Sequence, residues 1–377
     1  MHLDDLGWGP AWAGKLESWK NEHRESAPEP EENPEPEPRA ERAFEPARVI
    51  REDRGRYLVA SAAGEHGARL TGRFRHQAAA ASDYPTTGDW VVVRGAGPGE
   101  TNGAVDGDRP ICAVLPRESL FVRKAVLAGD RTEEQTVAAN IDTVFLVSGL
   151  DTEFNLRRIE RYLAIAHDSG AMPVILLNKL DLDPQWYEKL RSTQRMAGTV
   201  PVHAISADSG EGLEPVRSYL EPRRTYAFLG SSGVGKSTII NAFLETGRQA
   251  VSAISDATRK GRHTTTAREL IVIPGGGIVL DTPGMKVIGA WSDEGGVSRT
   301  FAEVEELAAQ CRFRNCRHEA EPGCAVRAAI EAGQLDPARL RNYRRLNMEA
   351  AAIAKRKKEI AHLRRHMNLH RKAKGQA

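Results

Sequence analysis

From Gly230 to Ser237 the chain reads Gly-Ser-Ser-Gly-Val-Gly-Lys-Ser, a G-x-x-x-x-G-K-S run placed between an apolar stretch, Tyr226 to Leu229, and a helical one, Thr238 to Leu244. Its chemistry is polyphosphate binding. Glycines let the backbone of Gly230, Ser231, Ser232, Gly233, Val234 and Gly235 curl, so that N–H groups surround a β-phosphate at a helix N-terminus. Lys236 then neutralises β/γ charge and Ser237 ligates Mg²⁺.

A phosphate loop does not choose between bases; kinases, ATPases and GTPases all carry one. The base reader is Asn178-Lys179-Leu180-Asp181, directly after the apolar run Pro173 to Leu177, where a ligand loop belongs at the carboxyl end of a parallel strand. The Asp181 carboxylate accepts from guanine N1–H and N2–H₂, a donor pair that adenine lacks. Adenine would leave that carboxylate unpaired, at a cost on the order of 1–3 kcal/mol. Alone, N-K-L-D also reads as a helix cap. Ser206-Ala207, after Val202 and Ile205, supplies the partner loop, with the Ala207 N–H directed at guanine O6.

Downstream, Ile278 to Gly284 is an apolar run entering D-x-x-G, in which Asp281 holds Mg²⁺ through water and the Gly284 N–H senses the γ-phosphate. Between it and the phosphate loop lies Gly261-Arg262-His263-Thr264-Thr265-Thr266. Thr265 is assigned to Mg²⁺, with Thr264 as the alternative. The residue after D-x-x-G is Met285, and a thioether cannot orient the attacking water. His263 is a candidate for that task, as is a group supplied by a partner; an ordinary polar loop residue is an equal reading of His263. Slow intrinsic turnover, accelerated by a partner, is expected.

All five elements are present in the order base reader, base loop, phosphate loop, threonine switch, D-x-x-G, whereas an ordinary GTPase begins with the phosphate loop. Joining old termini and opening new ones at a surface loop preserves the same parallel sheet.

Cys311-x4-Cys316-x-His318-x5-Cys324 offers three thiolates and one imidazole, a set for one structural, tetrahedral Zn²⁺ with no open position. Arg312, Arg314, Arg317 and Arg327 surround it, a field suited to thiolates and to RNA phosphates. Buried free cysteines are the plainer reading, but leave the tight spacing unexplained.

These residues must be positioned by more than one core, since 377 residues suggest two or three domains. No apolar run approaches the roughly 18 residues a membrane span needs, and a signal sequence is not evident at Met1-His2-Leu3-Asp4-Asp5, so a cytoplasmic protein without membrane partners is expected. The net charge of +2 hides a tail, residues 341 to 377, with twelve Lys or Arg against Glu349 and Glu359. Such a tail seeks polyanions. His362, His366 and His370 share one face of it, suited to metal or to RNA.

Residues 28 to 38 read as a disordered acidic Pro/Glu linker, either a plain spacer or a shield for the basic tail. Before it, Trp8, Trp12, Leu16 and Trp19 recur at helical spacing, as a docking helix or as a face packed at home. Residues 1–46 are thus an acidic, low-complexity extension. From 47 to 117, short alternating segments (56–60, 68–74, 90–93 and 111–115) predict a small antiparallel β-barrel whose Arg69, Arg73, Phe74 and Arg75 could face RNA. Residues 118–290 alternate strands and helices, predicting an α/β domain, and 291–377 turn helical around the Cys/His cluster.

The ordered set resembles the RsgA/YjeQ family of circularly permuted GTPases, over roughly residues 47 to 350. It is carried by Gly88-Asp89-Trp90-Val91, Leu115-Pro116-Arg117, Asn178 to Asp181, Gly230 to Thr238, Gly261 to Thr266, Asp281 to Gly284 and Cys311 to Cys324. The resemblance implies an N-terminal OB-fold, a central permuted GTPase domain binding GTP or GDP, a zinc-binding C-terminal domain, and GTP-dependent docking on the small ribosomal subunit and its rRNA, whose late maturation such proteins assist. Hydrolysis stimulated by the subunit and a monomeric chain are the matching expectations. A nucleotide-gated RNA-binding scaffold with incidental hydrolysis is the alternative.

Overall fold

The apolar runs that flank the motifs become strands. The computed structural model describes residues 2–24, 44–53, 55–78, 80–95, 108–127, 131–250, 269–273, 276–281 and 294–374. The chain divides into two compact units: Met1–Phe154 with Ser169–Arg195 and Thr199–Gly289, and Asn155–Asp168 with Met196–Gly198 and Ala290–Ala377.

The first unit opens with helix α1 (Pro10–Arg24) and a barrel of β1 (Phe44–Asp53), β2 (Arg56–Ser61), β3 (Gly64–Leu70), β4 (Trp90–Arg94) and β5 (Arg109–Val114). The order β1-β2-β3-β5-β4, closed by β4 pairing back on β1, leaves no free edge in the ring. Inward residues Val49, Tyr57, Val59, Val91, Val93 and Ile111 fill it.

One predicted strand is corrected here. The 68–74 segment leaves the sheet at Leu70, and α2 (Gly72–Gln77) follows because the Thr71 hydroxyl accepts from the Phe74 amide and caps a helix turn. Arg73 and Arg75 therefore ride on a helix, not on a strand face, and Arg69 is paired with Asp108.

The tryptophan helix packs at home. Trp8 meets Trp90 of the barrel edge-on at 4.7 Å, Trp12 lies 6.0 Å from the same ring, and Lys15 reaches the Pro116 carbonyl at 3.0 Å. Beneath it Arg48 is buried. It donates to the carbonyls of Leu6, Gly88 and Asn140 and to the Thr225 hydroxyl, and its guanidinium lies 5.5 Å over Trp90. Burial pushes its pKa down to about 10, opposed by the Asp142 and Asp89 charges, so it remains a cation at neutral pH.

After the barrel a hairpin, β6 (Leu120–Leu127) and β7 (Arg131–Ala139), leads into β8 (Thr143–Gly149), β9 (Met172–Asn178) and β10 (Val202–Ala204), then β11 (Thr225–Leu229), β12 (Glu269–Val272) and β13 (Ile278–Asp281). The order is β10-β9-β8-β11-β13-β12. All neighbours are parallel except the last pair, and β12 touches β1 at Arg51 and Glu269. Every residue of β8 and β11 is buried, as strands covered on both faces must be. Phe145, Val174, Phe228 and Val279 form the core with Val234, Ile239 and Phe243. Those last two lie on α6 (Lys236–Ala250).

The second unit gathers α3 (Leu156–Ser169), α7 (Glu294–Thr300), α8 (Ala302–Ala308), α9 (Ala325–Glu331) and α10 (Pro337–Lys374). Its core comprises Val297, Phe301, Val304, Val326, Leu340 and Leu346, with Ala164 of α3. A buried carboxylate, Glu160 of α3, meets Arg339 at 3.0 Å and also accepts from Asn342. By sequence α3 falls in the 118–290 stretch; by packing it joins the C-terminal helices. No helix among the described residues is long and apolar enough to cross a membrane.

Candidate functional site

The carboxyl ends of β8, β9, β10, β11 and β13 carry the motifs. The phosphate loop sits where strand order reverses, between β8 and β11, a position at which ligands of open α/β sheets bind. Its glycines answer to close approach. A Cβ on Gly230 would lie 2.4 Å from the Val147 carbonyl oxygen, and one on Gly235, at φ +95°, would lie 2.1 Å from Asn178 Nδ2. Val234 turns inward at 2% exposure and anchors the loop in the core. Lys236 Nζ donates to the Gly230 and Ser231 carbonyls at 2.7 and 2.5 Å, which holds the ammonium against the loop. Ser232, Gly233, Ser237 and Thr238 are exposed, at the N-terminus of α6.

The base reader is braced on that loop. Asn178 ends β9 buried, donates from Nδ2 to the Val234 carbonyl at 2.8 Å, and accepts at Oδ1 from the Ala207 amide at 2.9 Å. A carbonyl only accepts and an amide N–H only donates, so both bonds fix one orientation of the Asn178 side chain. The Ala207 amide, read from sequence as the donor to guanine O6, is spent here on Asn178. The loop behind it is closed by the Ser206 N–H to the Glu211 carbonyl at 2.9 Å and the Gly210 N–H to the Ser206 carbonyl at 2.9 Å.

Lys179 adopts a left-handed backbone, φ 69°, and its ammonium meets Asp151 at 2.6 Å. The next residues, Leu180–Leu182, form one 3-10 turn on which Asp181 is exposed. Hydrogen bonding to Lys179 holds the Asp151 carboxyl below its ordinary range, against the effect of burial. Sequence reasoning missed Asp151. Its signal was position: it lies two residues beyond Gly149, the end of β8, which stands in register with Asn178.

Asp281 is the last residue of β13, whose Leu280 pairs with Ala227 of β11. Gly284, His263, Thr265, Thr264 and Met285 lie outside the described residues, as does the 28–38 linker.

In the second unit Cys311, Cys316, His318 and Cys324 place one ligand atom each within 4.8 Å of one another. A tetrahedral zinc with Zn–S of about 2.3 Å and Zn–N of about 2.0–2.1 Å requires S···S near about 3.8 Å and S···N near about 3.5 Å. Cys311 Sγ to Cys324 Sγ is 3.9 Å, and both sulfurs lie 3.5 Å from His318 Nδ1, so the donor set fits that metal. Burial, then the nearby Arg344 charge, holds the His318 imidazole below its ordinary pKa, which favours the neutral ring a metal needs. The left-handed backbone of His318, φ 60°, turns the ring back toward the cysteines.

A model of the RsgA GTPase family matches residues 114–291. The Small ribosomal subunit biogenesis GTPase RsgA of Opitutus terrae is 46% identical over 360 residues, covering 94% of this chain and 92% of that one. The RsgA 2 protein of the same description from Lactiplantibacillus plantarum is 43% identical, covering 80% and 82%. Among solved structures, YjeQ from Thermotoga maritima superposes with a TM-score of 0.60 at 27% identity, covering 82% of this chain and 99% of that one. YloQ, a circularly permuted GTPase, superposes at 0.55 and 24% identity, a likeness of fold. With such identity along nearly its whole length, and the motifs at the strand ends that guanine and phosphate recognition require, the chain belongs to the RsgA family of circularly permuted GTPases.

Proposed function

We propose that this GTPase docks on the small ribosomal subunit when GTP is bound, assists its late maturation, and hydrolyses GTP to GDP and phosphate faster on the subunit than alone. The observation that carries the nucleotide part is the Asn178 brace, which holds base reader, base loop and phosphate loop as one surface. The names of the relatives support the subunit as partner.

In this reading Asp181 reads the guanine edge, Lys236 and the amides of residues 230–238 bind the phosphates, and Ser237 and Thr265 hold Mg²⁺, with Asp281 reaching it through water. Mg²⁺ supplies charge neutralisation on the β/γ oxygens. Gly284 senses the γ-phosphate, and His263 orients the attacking water. Cys311, Cys316, His318 and Cys324 hold one structural zinc. The closed five-strand barrel is assigned to the OB class, and it faces rRNA together with the basic end of α10. The protein acts in the cytoplasm as a monomer.

GTP turnover measured with and without purified small subunits, at two salt concentrations, tests this. The expected result is slow basal hydrolysis, marked stimulation by subunits, and loss of stimulation at high salt as phosphate contacts are screened. Several turnovers per second by the protein alone, with no gain from subunits, would overturn it.

A further inference from the structure

We propose that the turn between the first two cysteines of the C-terminal cluster is a stacking platform for one unpaired RNA base, with Phe313 as the ring and Arg312, Arg314 and Arg317 as phosphate contacts. This rests on the subunit-binding reading above.

Phe313 is 41% exposed and stands outside the core built on Phe301, Val304 and Val326. The exposed part of an aromatic ring is free to stack on a flat partner, and the arginines beside this one give it a polyanion to stack on. The turn that carries it is held from several sides. The Cys316 amide donates to the Phe313 carbonyl at 3.2 Å, the Arg312 amide to Gly323 at 3.1 Å, and Arg344 of α10 to the Arg317 carbonyl at 2.7 Å. Cys311 and Cys316, which flank the turn, both belong to the ligand set. A turn fixed this way loses little backbone freedom when a base stacks on its ring.

Charge selects the partner. From Arg312 to Arg317 the chain carries three arginines and no acid. The Arg312 guanidinium already lies 5.5 Å from the Phe313 ring centre. Of the two acids that follow, Glu319 is exposed, and the Glu321 carboxylate is turned onto the amides of Arg317, Glu319 and Ala320 at 2.8, 2.8 and 3.1 Å. A lone ring among guanidiniums offers a protein partner little apolar area. Every base, in contrast, has a π-face, and its phosphates answer the arginines.

The test uses the full-length, zinc-loaded protein with GTP bound, and measures binding both to purified small subunits and to protein-free small-subunit rRNA. Phe313→Ala is expected to weaken both about tenfold, the loss of one stacked base. Phe313→Leu keeps apolar bulk but no π-face and should weaken both likewise, whereas Phe313→Trp should bind as well as the parent. None of the three changes the salt dependence, but Arg314→Gln lowers its slope by about one ion. Zinc content and basal GTP turnover stay at parental values. Parental binding by the Ala and Leu variants would overturn the platform and leave the subunit reading intact; absence of binding by the parent protein would overturn both. Weakened binding to intact subunits alone would assign the ring to a ribosomal protein and overturn the RNA base.

Discussion

Asn178 and Val234 are joined by a 2.8 Å hydrogen bond from side-chain amide to backbone carbonyl, across 56 residues of chain. Since the same side chain accepts from Ala207, three loops that lie apart in the sequence meet at one residue. Asn178→Ala strands a buried carbonyl and a buried N–H, at a cost on the order of 1–3 kcal/mol each. Release of a fluorescent guanine nucleotide is therefore expected to accelerate at least about tenfold; an unchanged release rate would show that the brace holds nothing.

Asp181 presents an exposed carboxylate on the 3-10 turn after Lys179, and the base it selects follows from donor and acceptor count. Asp181→Asn replaces one acceptor by a donor. Binding of GTP should fall by about a hundredfold and binding of xanthosine triphosphate, which has a carbonyl where guanine has an amine, should rise. Competition between the two triphosphates reads this directly, and retained preference for guanine would remove Asp181 from the base site.

Arg48 satisfies acceptors from four separate segments, so its removal leaves several buried oxygens without a donor. Arg48→Met is expected to destabilise the protein by about 2–4 kcal/mol in chemical denaturation. Arg48→Lys should recover only part of that, because an ammonium cannot fork toward several carbonyls at once. Full recovery by lysine would mean that charge alone matters there.

One zinc per chain is expected by metal analysis, and Cys324→Ser should abolish it. Cys324 is also buried in the core of the C-terminal helices, so a chelator should lower their melting temperature as well as strip the ion. Thiolates must lose the metal as they gain protons, so zinc release follows falling pH. A metal-free protein with an unchanged melting curve would refute the structural role.

His66 of β3 is half-buried, and burial, then the Arg109 charge, pushes its pKa down to about 4. The unfolded chain takes up this proton near pH 6.5, well before the folded one does. Stability from this residue is therefore complete above about pH 6.5 and declines as pH falls toward 4. His66→Asn should flatten the melting temperature across that window; an equally steep decline in the variant would assign it elsewhere.

The strands that carry the nucleotide motifs were legible because they are short, continuous apolar runs, and the motif glycines stand where a Cβ has no room, as at Gly230 and Gly235. The helical turn after Leu70 was hidden by local alternation that imitates a strand, and only Thr71, acting as a cap, marks the change. The hairpin of β6 and β7 mixes charged and apolar residues without a steady period, so no pattern announced it. Burial of Arg48 and the partnership of Asp151 with Lys179 are tertiary facts, and residue type alone gives no sign of either. For α3 the apolar face was readable but its partner was not: periodicity tells which side of a helix is buried, never against what.

That partner makes the C-terminal helices something other than a detachable cassette. Glu160 leaves the chain between two strands of the nucleotide sheet, yet its carboxylate is neutralised by Arg339 almost two hundred residues later. Cutting the gene near residue 290 would therefore yield a GTPase fragment in which the buried Glu160 carboxylate keeps only Arg157 of its own helix and the apolar stripe of α3 is uncovered. Such a fragment is expected to aggregate, and lineages that trim or exchange this end must rewrite an internal helix at the same time.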